Sequence, residues 1–234
     1  MTSSFADRRA RASIHSMGLG PGELESVRVT RVLREDIVLG RRLPGSRLVE
    51  RDLARELNVS RLPVREAIRR LSQEGVVISR PRTWAVVRDF TAQDVVDLSV
   101  LRIAIENAAL GIAAERHDED GVAKVIAALA DEHDAAASGD IVQTNLAAGR
   151  FHRTLIALAG NQTIDETMGV FETRFRRAFG RNSDLYAHVD AHRAIVDAFV
   201  ARDAELVCEL NRAHLEAACE EAVALWGGLA EPVD

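Results

Sequence analysis

The stretch from Asp52 to Leu71, DLARELNVSRLPVREAIRRL, restricts its part of the chain to two short helices joined by a tight turn. Leu53, Ala54 and Leu57 fall at i, i+1 and i+4, which gives one short helix a single apolar face. Asn58 tolerates the left-handed conformation that ends such a helix, and Ser60 is placed to cap the next one through its side-chain oxygen. Pro63 falls in the first turn of that second helix, where its missing N–H removes no intrahelical bond. Val64, Ala67, Ile68 and Leu71 then share one face, while Arg61, Arg65, Arg69 and Arg70 occupy the other face and the N-terminal end. This division suits a recognition helix: the apolar stripe docks on the first helix, and N-terminal side chains reach base edges or phosphates. The planar fork of Arg holds either partner bidentately. The plainer alternative, a surface helix with solvated arginines, explains neither the proline nor the docking helix.

Charge is divided along the chain in the way this reading requires. Residues 1 to 90 hold 18 Lys and Arg against 11 Asp and Glu, whereas residues 91 to 234 hold 12 against 25. Phosphate neutralisation needs clustered positive charge, so the first part is the candidate reader and the acidic remainder faces elsewhere. No apolar run has the length of a membrane span and no signal-peptide pattern opens the sequence. Two cysteines, Cys208 and Cys219, lie on one predicted helix and make no disulfide framework. A cytoplasmic protein without membrane contact is expected.

Residues 1 to 23 lack apolar periodicity and read as a mobile tail whose Arg8, Arg9 and Arg11 are solvated. A first helix is predicted from Glu25 to Leu39, ending at Gly40, and a turn at Arg41 to Gly45 follows. After the recognition helix, Gly75 is a stop. Val76 to Ile78 and Trp84 to Val87 read as two strands about a turn at Ser79 to Arg82. From Asp94 onward, helices are predicted at Asp94–Arg116, Gly121–Ala137, Ile141–Ala159, Thr163–Gly180, Leu185–Arg202 and Ala204–Leu225, with no strand pattern. The expected fold is mainly α. It has an N-terminal winged helix-turn-helix, of three helices plus a two-stranded wing, over residues 24–90. An all-helical bundle of six to seven helices follows over residues 91–229.

The run PGSRLVERDLARELNVSRLPVREAIRRL, within residues 25 to 90, resembles the winged-helix domain of GntR-family transcription regulators. The second half is similar to the C-terminal effector domain of the FadR branch, on the segments LSVLRIAIENAAL, FHRTLIALAGN, AHRAIVDAF and NRAHLEAA. The resemblance implies that Arg51, Arg61 and Arg65 make the main base and phosphate contacts, with Ser60, Arg47 and Pro63 supporting. It also exposes a departure: Trp84 stands where the family has Gly at the wing tip.

His152, His192 and His214 each lie on a different predicted helix among apolar neighbours. On spacing alone such residues are ordinary hydrogen-bonded core or surface histidines. The resemblance implies instead that they ligate a divalent metal, Zn, Ni or Mn, together with an Asp one turn before the first His, where this chain has Ala148. An open coordination position is the consequence. Asn145 and His188 read as surface residues. Arg102, on an apolar helix, reads most simply as the partner of Glu106; the resemblance implies that it holds an effector carboxylate, with Asn161 lining the pocket. Arg150, Arg174 and Arg177 have no assigned direction.

These expectations converge on a homodimeric DNA-binding regulator, a repressor released from a palindromic double-stranded operator by a small carboxylate effector. Three alternatives remain: a Zn enzyme using the three histidines, a constitutive architectural DNA binder, and a metal-independent regulator with a pocket for a larger acyl ligand. Against the enzyme, the chain has no HExxH, nucleophile elbow or Gly-rich phosphate loop.

Overall fold

The computed structural model describes residues 23–79, 84–180 and 184–228. The expected tail, most of the wing turn and the Arg181–Ser183 break lie outside the described residues. The chain divides into two compact units, with the boundary between Asp89 and Phe90.

The first unit runs α1 (Glu25–Val38), β1 (Arg47–Leu48), α2 (Glu50–Glu56), α3 (Arg61–Gln73), β2 (Val77–Ser79) and β3 (Ala85–Val87). Its core is made where α1 packs on α3, with Val29, Leu33 and Ile37 buried on the one and Val64, Ala67 and Leu71 on the other. Asp36 is buried between Arg41 and Arg42, at 2.8 and 3.3 Å, so its charge is matched. Asn58 adopts φ 52° after α2, as its residue type allows.

Two expectations are corrected here. Ser60 sits at the N-cap of α3 with extended backbone but makes no side-chain cap bond. Pro63 removes one of the two donors open to it, since an N-cap side chain accepts from the N–H two or three residues on and the residue at the third position has none, which leaves Leu62 N–H as the one available. The two expected wing strands, β2 and β3, are also joined by a third, β1. The sheet has three strands in the order β1-β3-β2, all antiparallel, with Arg47 opposite Val86 and Leu48 opposite Ala85. Two residues of strand are too few to show alternation, and their pairing partner lies almost forty positions away.

The second unit is a bundle of α4 (Ala92–Arg116), α5 (Glu119–Ala137), α6 (Ile141–Ala157), α7 (Gln162–Phe179), α8 (Leu185–Val200) and α9 (Ala204–Gly228). Each start is written in the sequence. Thr91 makes a capping box with Asp94, and Asp118, Asp140, Asn161, Asp184 and Asp203 accept from Gly121, Gln143, Ile164, Ala187 and Leu206 N–H groups at 2.8 to 3.2 Å. The core gathers Leu110, Phe151, Leu155, Ile195, Phe199 and Val207. The apolar period of Val95, Leu98, Leu101, Ile105, Ala108 and Ile112 predicts the inner face of α4; Val95 and Leu98 are buried, but the later four are only partly buried or exposed, while Glu106, Ala109, Leu110 and Ala113 are inside. This helix is apolar nearly all round, so periodicity could not choose its face.

Candidate functional site

In the first unit, α3 and β3 flank a groove of about 720 Å³ lined by residues including Arg51, Arg65, Arg69, Ser72 and Trp84. Arg65 donates through Nε and Nη2 to both oxygens of Glu50, each at 2.9 Å, a planar bidentate pair at the start of α2. The Arg65 contact draws the Glu50 carboxyl below its usual range. Arg47 is exposed on β1 and its guanidinium carbon lies 4.1 Å from the centre of the Trp84 ring. Arg51, 3.3 Å from Asp52, Arg61 and Ser60 are exposed, whereas Pro63 is buried and serves the start of α3. Arg51 and Arg65 thus share one groove with Trp84, and Trp84 ties Arg47 to it.

In the second unit, three imidazoles from three helices converge. His192 Nε2 on α8 lies 3.1 Å from His152 Nε2 on α6 and 3.0 Å from His214 Nε2 on α9. All three histidines are buried, and Phe151 stacks on His192 at 4.3 Å between ring centres. Burial holds all three rings below their ordinary range, most strongly His192 and His214, and repulsion from Arg102 and neighbouring histidines adds to it. They are therefore neutral at pH 7, the form that offers lone pairs.

Two buried acids stand behind them. Glu132 Oε2 on α5 lies 2.7 Å from His192 Nδ1, and Glu106 Oε2 on α4 lies 3.0 Å from His152 Nδ1. The acids differ in charge. Burial would push Glu106 up, but Arg102, donating Nε to Glu106 Oε1 at 2.7 Å, and His152 outweigh it and hold the carboxyl at about 2. Glu132 has no such cation and burial pushes it up to about 8. Sequence reasoning missed Glu132. It lies in the run Asp131–Asp134, where its neighbours Asp131, His133 and Asp134 are exposed, and only its place on the inner face of α5 distinguishes it.

The donor set fits a divalent ion. His152, His192 and His214 offer ligand atoms that all lie within 4.8 Å of one another. Two imidazole nitrogens about 2.1 Å from one ion are about 3.0 Å apart at right angles and about 3.4 Å apart in a tetrahedron. If His192 donates Nδ1–H to Glu132, its Nε2 carries one lone pair against two neighbouring nitrogens, a cluster better matched by a shared cation than by protons. Arg102 stays close to this site, its guanidinium carbon 5.5 Å from the Phe179 ring centre and its Nε on Glu106. Asn161 is exposed, its Oδ1 engaged as the cap of α7, and Asn145 bonds back to Ile141 on its own helix. Ala148 is half-buried and Arg150 exposed, while Arg177 is fully buried, 4.7 Å from the Trp226 ring centre. Arg174 lies 5.1 Å from the Phe171 ring centre. His188, expected at the surface, is instead buried; α9 covers that turn of α8, with Glu221 at 3.4 Å.

Comparison with known proteins places both units. Residues 25–87 match the family model of bacterial regulatory proteins, gntR family, and residues 97–217 match that of the FCD domain. An uncharacterized HTH-type transcriptional regulator, BphR, of Paraburkholderia xenovorans (strain LB400) is 31% identical over 194 residues, covering 79% of each chain. A probable D-xylose utilization operon transcriptional repressor of Paenarthrobacter nicotinovorans is 28% identical over 185 residues, covering 78% of this chain and 81% of its own. Among solved structures, a putative transcriptional regulator GntR from Rhodococcus sp. RHA1 has TM-score 0.72 at 29% identity, covering 85% of this chain and 97% of that one. Escherichia coli McbR/YncC, at 20% identity, shares the fold with TM-score 0.73 over 89% of this chain and 99% of its own.

Proposed function

This chain belongs to the gntR family of bacterial regulatory proteins and carries an FCD domain, and we propose that it is a repressor released from its operator by a small carboxylate. It is a transcriptional regulator and not an enzyme, as its relatives are. Among the described residues no helix is long and apolar enough to cross a membrane, and we place the protein in the cytoplasm. The reader acts as a homodimer on two half-sites of a palindrome, because a two-fold pair presents its recognition helices to successive major-groove faces.

In this reading, Arg51, Arg61 and Arg65 contact bases and phosphates, supported by Arg47 and Ser60, with Pro63 shaping the helix start. His152, His192 and His214 hold a divalent ion such as Zn, Ni or Mn, with Glu132 and Glu106 orienting two of the rings. When bound, the ion would supply positive charge in a buried site, and Arg102 beside it would meet an effector carboxylate there. Effector binding then changes operator affinity by favouring one arrangement of the readers.

The observation that carries the sensing half is the convergence of three neutral Nε2 atoms at 3.0 and 3.1 Å. The test is selection of bound fragments from a random DNA library, followed by titration of the enriched site with small carboxylates, with and without chelator. An inverted repeat released by a carboxylate only in the metal-loaded protein is expected. No enriched sequence overturns the regulator reading; release by none of the acids, or equally after chelation, overturns the metal-assisted sensor.

A further inference from the structure

His188 occupies a position that the three-histidine site does not use. It lies one turn before His192 on α8, so the two side chains fall on one face of the helix, the spacing with which paired histidines chelate a metal. It is buried, and its ring centre is 5.3 Å from that of His214. Within the trio the ring centres are 4.5, 4.8 and 5.4 Å apart, so His188 stands no further from His214 than the trio members stand from each other. A ligating imidazole has its centre about 3.2 Å from the ion, so centres up to about 6.4 Å apart can serve one ion.

Neither α6 one turn before His152 nor the two buried acids supply this ligand. One turn before His152, α6 carries Ala148, which has no donor atom. Glu106 and Glu132 stand behind the rings, at His152 Nδ1 and His192 Nδ1, opposite the nitrogens that converge. His188 Nε2 has Glu221 Oε2 at 3.4 Å, a long contact to an exposed side chain. A half-turn of the ring about Cβ–Cγ exchanges nitrogen for carbon in nearly the same volume, so engaging an ion asks little of the surrounding packing.

We propose that His188 is the fourth protein ligand, which makes this an all-imidazole centre for a borderline ion such as Zn or Ni. The inference rests on the metal reading above and sharpens it: four neutral ligands leave the full double charge of the ion for an anionic effector. They also favour Zn, Ni and Cu over Mn and Mg, which prefer oxygen.

The test strips the full-length protein with chelator and titrates Zn, Ni and Mn separately in competition with a chromophoric chelator. His188→Ala, His188→Gln and the exposed-site control His133→Ala are run beside the wild type. Loss of at least about tenfold in Zn and Ni affinity in both His188 variants, none in the control, and Mn bound far more weakly by the wild type are expected. Pulsed electron paramagnetic resonance of the Cu-loaded wild type, which needs no variant to fold, should count four imidazoles. Tight wild-type binding with unchanged His188 variants and three imidazoles overturns the inference and leaves the trio. No binding by the wild type overturns the metal reading itself, and the inference with it.

Discussion

Glu132 Oε2 approaches His192 Nδ1 at 2.7 Å in the interior of the bundle, and the opposite nitrogen of the same ring faces His152 and His214. An acid on α5 thereby sets the direction of a lone pair on α8. Glu132→Gln keeps a partner of the same shape but removes the carboxyl, which burial alone pushes up to about 8 and which would have to give up its proton beside a bound cation to strengthen the ring as a ligand. Metal affinity should fall by about ten- to a hundredfold. Equal affinity in chelator competition would assign Glu132 to packing alone.

Arg102 is the half-buried cation that keeps Glu106 ionised, at 2.7 Å. Arg102→Met removes the guanidinium and leaves a buried carboxylate facing His152 only, which should destabilise the folded protein by about 3–5 kcal/mol. Arg102→Met with Glu106→Gln should regain much of that loss in denaturant unfolding, because the stranded charge is gone. A double variant as unstable as the sum of the singles would show that the two side chains do not act as a pair.

Arg65 is held in its bidentate pair with Glu50 before any DNA arrives, and that pair lies on the exposed face of α3. Arg65→Ala should weaken binding to the selected operator by about ten- to a hundredfold while the free protein melts as before. Glu50→Gln should retain binding but make it less sequence-selective, since the guanidinium loses its fixed plane. Both are read by fluorescence anisotropy on specific and scrambled duplexes, and undiminished binding by Arg65→Ala would refute the assignment of α3 as reader.

Trp84 supports Arg47 across the wing, 4.1 Å from ring centre to guanidinium carbon. Trp84→Gly frees that side chain, so the slope of operator affinity against salt should decrease by about one phosphate contact. An unchanged slope with weaker binding would point to Trp84 touching DNA itself.

Metal removal should be visible in the melting temperature. An ion at a hundred times its dissociation constant stabilises the folded state by about 2.7 kcal/mol, equivalent to about 5–10 °C for a chain of this size. Chelator should lower the wild-type transition by that order and leave His192→Ala unmoved. Identical melting of the wild type with and without chelator speaks against a bound ion.

The sequence by itself determined the reader and the punctuation of the bundle. Arg61 to Leu71 has its apolar face and its arginines separated by helical period, and Thr91, Asp118, Asp140, Asn161, Asp184 and Asp203 each precede a helix they cap. These are local effects, exerted within a turn or two of chain, and they survive in one dimension. The three histidines were legible as candidates through family resemblance but not through spacing, since 40 and 22 positions separate them from His192.

Tertiary structure alone decided the rest. It paired Arg47–Leu48 with β3, chose the inward face of α4, buried His188, and selected Glu132 from an acidic run as the partner of His192. In each case the decisive contact joins residues on different elements, and a helix apolar on several sides, or acidic along its length, carries no periodic mark of which neighbour it will meet. Pro63 shows the same limit at short range: its missing N–H takes away one of the two donors that the Ser60 side chain could use, and Ser60 makes no cap bond although each residue alone suits the start of a helix.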